Sequence, residues 1–233
     1  TLSGNNTYSG TTTLSAGTLR ATTSANALGA GALSLGGGTL ELANDTALNF
    51  GRNTTVTAAT TIKSDRLTSG AAVTHTLGTL SQGAFALTGA AGTNVASGTA
   101  GIDFGTATFT GAPTFSPGTG FQFGLGALTD GGVARAMVKN GLGSLIFNAT
   151  AASFAAANTL TINNGTVLLE ANNAFGTGTT TAVTVNSTTA GTTALLDLNG
   201  FNQGVLSLTF GGTGATATSV NNVATGAGTL TLG

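Results

Sequence analysis

Residues Thr13–Leu42 read TLSAGTLRATTSANALGAGALSLGGGTLEL, and two features of this stretch decide the fold. The first is alternation. Leu33-Ser34-Leu35 and Leu40-Glu41-Leu42 place an apolar side chain at every second position, the pattern of a strand with one buried face and one wet face. The second is recurrence. Gly17-Thr18-Leu19 returns as Gly38-Thr39-Leu40, a step of 38 − 17 = 21 residues. The same tripeptide stands at Gly78-Thr79-Leu80 and Gly228-Thr229-Leu230, with Gly165-Thr166-Val167 as a near match. A fixed step of this size fits one coil of a β-solenoid, in which each coil buries its apolar side chains only against its neighbours. At roughly 20 residues per coil the chain makes roughly 11–12 coils, and at about 4.8 Å per coil a rod of roughly 55 Å.

A larger block repeats as well. Thr13–Leu42 aligns with Leu160–Leu198: Leu14 with Ile162, Leu19 with Val167, Leu28 with Phe175, Leu35 with Val185, and Leu42 with Leu198. The offset grows along the alignment, and the extra residues fall in the Thr/Ala-rich segment 187–193, where insertions cost little. Near the end, Gly228-Thr229-Leu230-Thr231-Leu232-Gly233 restates the opening Thr1-Leu2-Ser3-Gly4. The organisation expected is one continuous elongated unit, with repeat blocks at 1–66 and 139–211. Spacer coils occupy 67–138, and the next repeat starts at 226–233.

Composition narrows the function classes. Only 6% of the 233 residues are charged, against roughly 25% in an ordinary globular domain. Lys and Glu occur twice each, so helix surfaces cannot be built. Six scattered Lys and Arg with a net charge of −1 make no nucleic-acid interface. The absence of Cys excludes disulfides and thiolate metal sites. Hydrophobic residues make up 40% of the chain and mean hydropathy is +0.32, so a core can be buried and disorder is disfavoured. The uncharged stretch after Asp197 is broken throughout by Gly, Asn, Thr and Ser and makes no membrane helix. With one Tyr and no Trp it lacks the aromatic girdles of an outer-membrane barrel, so no membrane insertion of this segment is expected. The chain opens at Thr1 in mid-pattern and reads as a processed product or a piece of something longer.

The text LSGNNTYSGTTTLSAGTLRA…NALGAGALSLGGGTLEL resembles the autotransporter-associated β-strand repeat, also called the passenger-associated transport repeat. The block 139–211 resembles it too, including LLDLNGFNQGVLSL, and departs from it where NATAASFAAANT replaces the NTYSG segment. Residues 74–140 resemble the spacers of very long bacterial surface proteins. The resemblance implies a right-handed parallel β-helix, export to the bacterial cell surface, and a stalk, fibre or passenger role. It implies no shared chemistry.

A search for chemistry finds little. Two carboxylates flanking one glycosidic bond would make a glycosidase, and Glu41 and Asp45 are near in sequence. Yet Glu41 takes the same repeat position as Asp197, mid-strand and outward, where a charge discourages sideways sheet pairing. Both are therefore expected outward at equivalent places on separate coils. His75 is the only histidine, and alternation puts it on the face of Val73 and Leu77 as a hydrogen-bonded or partly covered group rather than a catalyst. No nucleophile elbow, phosphate loop or calcium nonapeptide is present. Asn26, Asn44, Asn172 and Asn199 recur at turns and are expected to exchange amide hydrogen bonds between coils. Phe104, Phe109, Phe115, Phe121 and Phe123 are expected to stack inside the middle coils.

The expectation is thus a structural, non-enzymatic protein with no catalytic, cofactor or metal residues. It would form an extracellular bacterial fibre or surface stalk built by end-to-end stacking. Its partners would be other copies of itself, as separate chains or tandem repeats. The alternatives are an adhesin-type passenger that binds a host or matrix ligand and, further off, a polysaccharide-active enzyme.

Overall fold

Leu33 and Leu35 are buried and Ser34 between them is half-buried, as a strand with one inward face requires. The same alternation runs through Thr181–Ser187, where every second side chain is buried. The computed structural model describes residues 1–151, 154, 157–212, 220–224 and 226–233, the strand 220–224 by its backbone. The chain is all-β, without a helix among the described residues, and winds as a parallel β-solenoid of about nine turns. Every strand pair described is parallel.

Three walls form the coil and are visited in a fixed order. The first wall runs from Thr12–Leu14 through Leu33–Leu35, Thr54–Val56, Leu80–Gln82 and Ala107–Phe109 to Leu128–Thr129. The second wall has nine strands and spans the molecule, from Thr18–Thr22 to Ser207–Gly212. The third wall has seven, from Thr74–Thr76 to Val220–Ala224. In the earliest coils a loop takes the place of the third wall. Later, the segment 170–180 takes the place of the first. A short pair, Gln203–Val205 and Leu230–Leu232, restores strands at the first-wall position.

The number of coils differs from the 11–12 expected, because the 21-residue step between Gly-Thr-Leu tripeptides belongs to the tightest part of the molecule. Thr18 pairs with Thr39, a step of 39 − 18 = 21. In the spacer, Thr60 pairs with Leu87, 87 − 60 = 27, and Ala86 with Thr114, 114 − 86 = 28. These coils are longer because each carries one strand of a corner pair, Gly70–Ala71 with Val95–Ser97, between its second and third walls. Nine coils at about 4.8 Å make a rod of about 43 Å. In the first two tripeptides the Gly, Gly17 and Gly38, turns the corner between first and second walls. Gly38 has φ +70°, and a Cβ there would lie 2.5 Å from the carbonyl oxygen of Gly17 in the coil before.

The core is aliphatic at both ends and aromatic in the middle. Phe104, Phe109, Phe115, Phe121 and Phe123 are all buried. Phe123 is their hub, with ring centroids 5.0 Å from Phe121, 6.1 Å from Phe115 and 6.3 Å from Phe104. Phe109 joins through Phe115 at 6.0 Å. The expected aromatic stack is therefore present. Gly89 makes room for it, since a Cβ at that position would fall 2.2 Å from the Phe121 ring.

Candidate functional site

The carboxylates considered for glycan cleavage are each committed elsewhere. On the second wall the register aligns Arg20, Glu41 and Lys63 on consecutive coils, an outward ladder of alternating charge. The Arg20 Nε–H donates to Glu41, and Arg20 Nη2 stands 3.7 Å from Asp65. Asp65 is buried and accepts the Asn94 amide at 2.9 Å. Asp45 accepts from the amides of Leu67 and Thr68 and the Thr68 hydroxyl at 2.9–3.0 Å, with Arg66 at 3.6 Å. The Thr68 amide holds the Asp45 carboxyl below its usual range. Glu41 thus serves the strand ladder and Asp45 ties down the next loop.

Glu41 and Asp197 do not occupy equivalent places. Both are half-buried on the outer side of their strands, but Glu41 lies on the second wall and Asp197 on the third. The two repeat blocks are set one wall apart, which alternation within a strand cannot reveal. Their expected sensitivities diverge accordingly. Asp197→Asn keeps an acceptor for the Asn199 amide, now bound at 2.8 Å, and should change stability by less than about 0.5 kcal/mol. Glu41→Asn removes the Arg20 contact and should cost up to about 1 kcal/mol. Urea midpoints of the two variants, compared with the parent, check this order.

His75 is hydrogen-bonded, as expected, and lies deeper than partial cover, in the core. It is fully buried, its Nδ1 accepts the Leu48 amide at 3.2 Å, and its Nε2 faces the Asp65 carbonyl at 3.1 Å. The pattern fixes a neutral ring with the proton on Nε2. Burial holds its pKa below the usual value. Phe50 meets it edge-on at 5.8 Å.

The most unusual polar group is one that sequence reading passed over. Lys139 is fully buried at the end of the second-wall strand Ala136–Lys139. Its ammonium donates to the carbonyls of Asn140, Gly141 and Asn164, each at 2.9 Å. The first two belong to its own turn and the third to the next coil. No carboxylate pairs with it among the described residues, and burial lowers its pKa to about 7. The only sequence signal was its place two residues after Met137 in an alternating run.

Beside Lys139 runs an amide ladder. Asn163 Nδ2 donates to Asn140 Oδ1 at 2.8 Å, and Asn186 Nδ2 to Asn163 Oδ1 at 3.4 Å. Of the four asparagines expected to bridge coils, two do. Asn26 donates to Asn5 Oδ1 at 2.7 Å, and Asn172 accepts the Asn202 amide at 2.7 Å. Asn44 instead bonds Thr46 within its own loop, and Asn199 sits at φ +47° in a local turn closed by Asp197. Turn asparagines serve either purpose.

The remaining concavity is small. A polar cleft of about 160 Å³ is lined by Ala30, Gly31, Ala32, Gly51, Arg52 and Asn53, below the roughly 300–1,000 Å³ of small-molecule sites. Arg52 donates to the carbonyls of Phe50 and Gly29, both at 2.7 Å, and so staples two coils. Asp103 lies on the outer side of the third wall. Burial, then the Glu170 charge, raises the Asp103 pKa. Among the described residues there is no cluster of three or more metal-ligating side chains. No helix among them is long and apolar enough to cross a membrane.

Comparison with known families gives one finding. The passenger-associated-transport-repeat matches residues 1–21 and 137–169, the opening of each repeat block. Neither the curated proteins nor the solved structures contain a match to the chain. The repeat and the parallel solenoid together fit a surface protein of the autotransporter-passenger type.

Proposed function

We propose, from the premise that this chain carries the passenger-associated-transport-repeat twice on one parallel solenoid, that it is a non-enzymatic structural segment of an extracellular bacterial stalk or fibre. The repeat family supports placement at the cell surface or in the secreted fraction. In this reading the coils stack end to end, either between chains or as consecutive units of one longer chain. The observation that carries it is the last coil. Phe210 lies in register with buried Val185 and therefore points inward, yet it is 52% exposed. Leu232, in register with buried Val205, is 60% exposed. These are core positions waiting for a further coil. At the other end Leu2 bridges Ala21 and is only half-buried. Contacts of this kind are heterologous and do not close, so they propagate.

The experiment is electron microscopy and sedimentation of residues 1–233 over a range of concentrations. End-to-end filaments that lengthen with concentration are expected. A soluble monomer whose end coils stay ordered and exposed would refute stacking between separate chains.

A second reading, adhesion to a host or matrix ligand, draws on one further observation. Phe85, Val133 and Leu206 are 40–53% exposed, and all lie in connections that enter second-wall strands from the first-wall side. Replacing the three with Ser and finding cell or matrix binding unchanged would remove it.

A further inference from the structure

The two repeat blocks align in sequence but not in space, and the displacement is regular. In the first copy, Leu2 lies on the second wall, where it bridges Ala21. The chain then loops through the third-wall position, returns as Thr12–Leu14 on the first wall and continues as Thr18–Thr22 on the second. That loop position recurs two coils later, where Asn49 bridges Thr76 of the third wall. In the second copy the leading strand Ser144–Phe147 is on the third wall. After it, Phe154 stands against Phe109 of the first wall, ring centroids 6.4 Å apart. Asn158–Ile162 follows on the second wall and Gly165–Leu169 on the third. Each element of the second copy therefore sits one wall further along the winding order than its counterpart in the first.

The next restatement of the motif obeys the same rule. Gly226-Ala227-Gly228-Thr229-Leu230-Thr231-Leu232 matches Gly141-Leu142-Gly143-Ser144-Leu145-Ile146-Phe147 in its Gly and apolar positions. Its strand, Leu230–Leu232, pairs with Gln203–Val205 at the first-wall position, one wall beyond the third. From Leu2 to Ser144–Phe147 the chain makes six coils and one wall. From there to Leu230–Leu232 it makes three coils and one wall. The number of coils varies and the remainder does not.

We infer that the strand–loop module is indexed by one wall at every copy, so that the loops of three successive copies face the three different sides of the rod. In the first copy the loop stands at the third-wall position, and in the second Phe154 stands against Phe109 of the first wall. For the copy that begins at Gly226, whose leading strand Leu230–Leu232 is at the first-wall position, the same rule puts the loop that would follow on the second wall. In a tandem array the loops wind round the fibre as a staircase. No wall then presents an unbroken strand surface for longer than the span between interruptions. Flat sheet faces of neighbouring rods can stack against one another through their side chains, and this arrangement limits such stacking without relying on charge. The extension to a longer array rests on the stalk reading; the displacement within this chain does not.

The test uses the absence of native cysteine, so that every thiol reports an engineered pair. Val138 and Thr161 are outward, half-buried and directly in register on the second wall. Adjacent parallel strands lie about 4.8 Å apart, within reach of a disulfide. Under mild oxidation V138C/T161C should lose both free thiols and shift on a non-reducing gel. T129C/T161C, which would be neighbours if the second copy kept the walls of the first, should keep both. Bridging of Thr129 to Thr161, or failure of Val138 to bridge in a variant with parental circular dichroism, overturns the indexing. Either result is read on dilute monomer, so it is independent of whether filaments form.

Discussion

Lys139→Met will destabilise the solenoid by about 3–5 kcal/mol, read as a lower urea midpoint. The native ammonium satisfies three carbonyls, from Asn140, Gly141 and Asn164, at one point. Methionine fills the same length without a donor, so three carbonyls lose a charged partner. Each buried group left without a hydrogen bond costs about 1–3 kcal/mol. Removing a charge from the interior offsets part of that, which sets the total below the simple sum. A variant as stable as the parent would show that these carbonyls find other donors.

The same group gives the parent a pH signature. Burial lowers the Lys139 pKa to about 7, whereas in the unfolded chain it stays near 10.5. Between these values the unfolded state binds more protons than the folded one, so stability rises with pH across the window and is flat below it. The full penalty of burying the ammonium is present at pH 7 and below and is relieved on the alkaline side. Lys139→Met should abolish the rise, which separates a titrating lysine from a general effect of alkali on the chain.

Phe123→Ala will cost about 3–5 kcal/mol, the range for deleting a fully buried ring, and lower the melting temperature by roughly 10 °C. Phe123 is not exposed at all and touches Phe104, Phe115 and Phe121, rings supplied by three different strands. The cavity cannot close by local collapse, because the strands around it are held in register on both sides by parallel pairing. Differential scanning calorimetry of the variant checks the figure. A loss below about 1 kcal/mol would mean the neighbouring rings refill the space.

The strand alternation was legible because it is local. Leu14, Leu35 and Leu42 of the first block are buried, as are Ile162, Val185 and Leu198 of the second. His75 and the phenylalanines followed from the same rule. Quantities that depend on how coils close were not legible. The 21-residue step measured the narrow coils and missed the widening at Thr60–Leu87. Glu41 and Asp197 share a motif position but not a wall, since nothing in a strand's own alternation says which side of the rod it faces. Lys139 escaped because a lone charge in an apolar run reads as an outward residue. Its three acceptors are backbone groups, which leave no trace in side-chain identity.

The aromatic rings gathered in the spacer coils have a mechanical consequence. A coil in such a stack is held only by the one above and the one below, so tension along the axis is met by each junction in series. Leu2 and Leu232 sit at junctions with few apolar partners, whereas Phe104, Phe115, Phe121 and Phe123 interlock at the waist. Pulled from its two tips, the rod will peel inward turn by turn and the waist will yield last. A stretched stalk made of such units would lengthen by unwinding at the seams between units while each waist stays wound as a knot from which the rest can rewind.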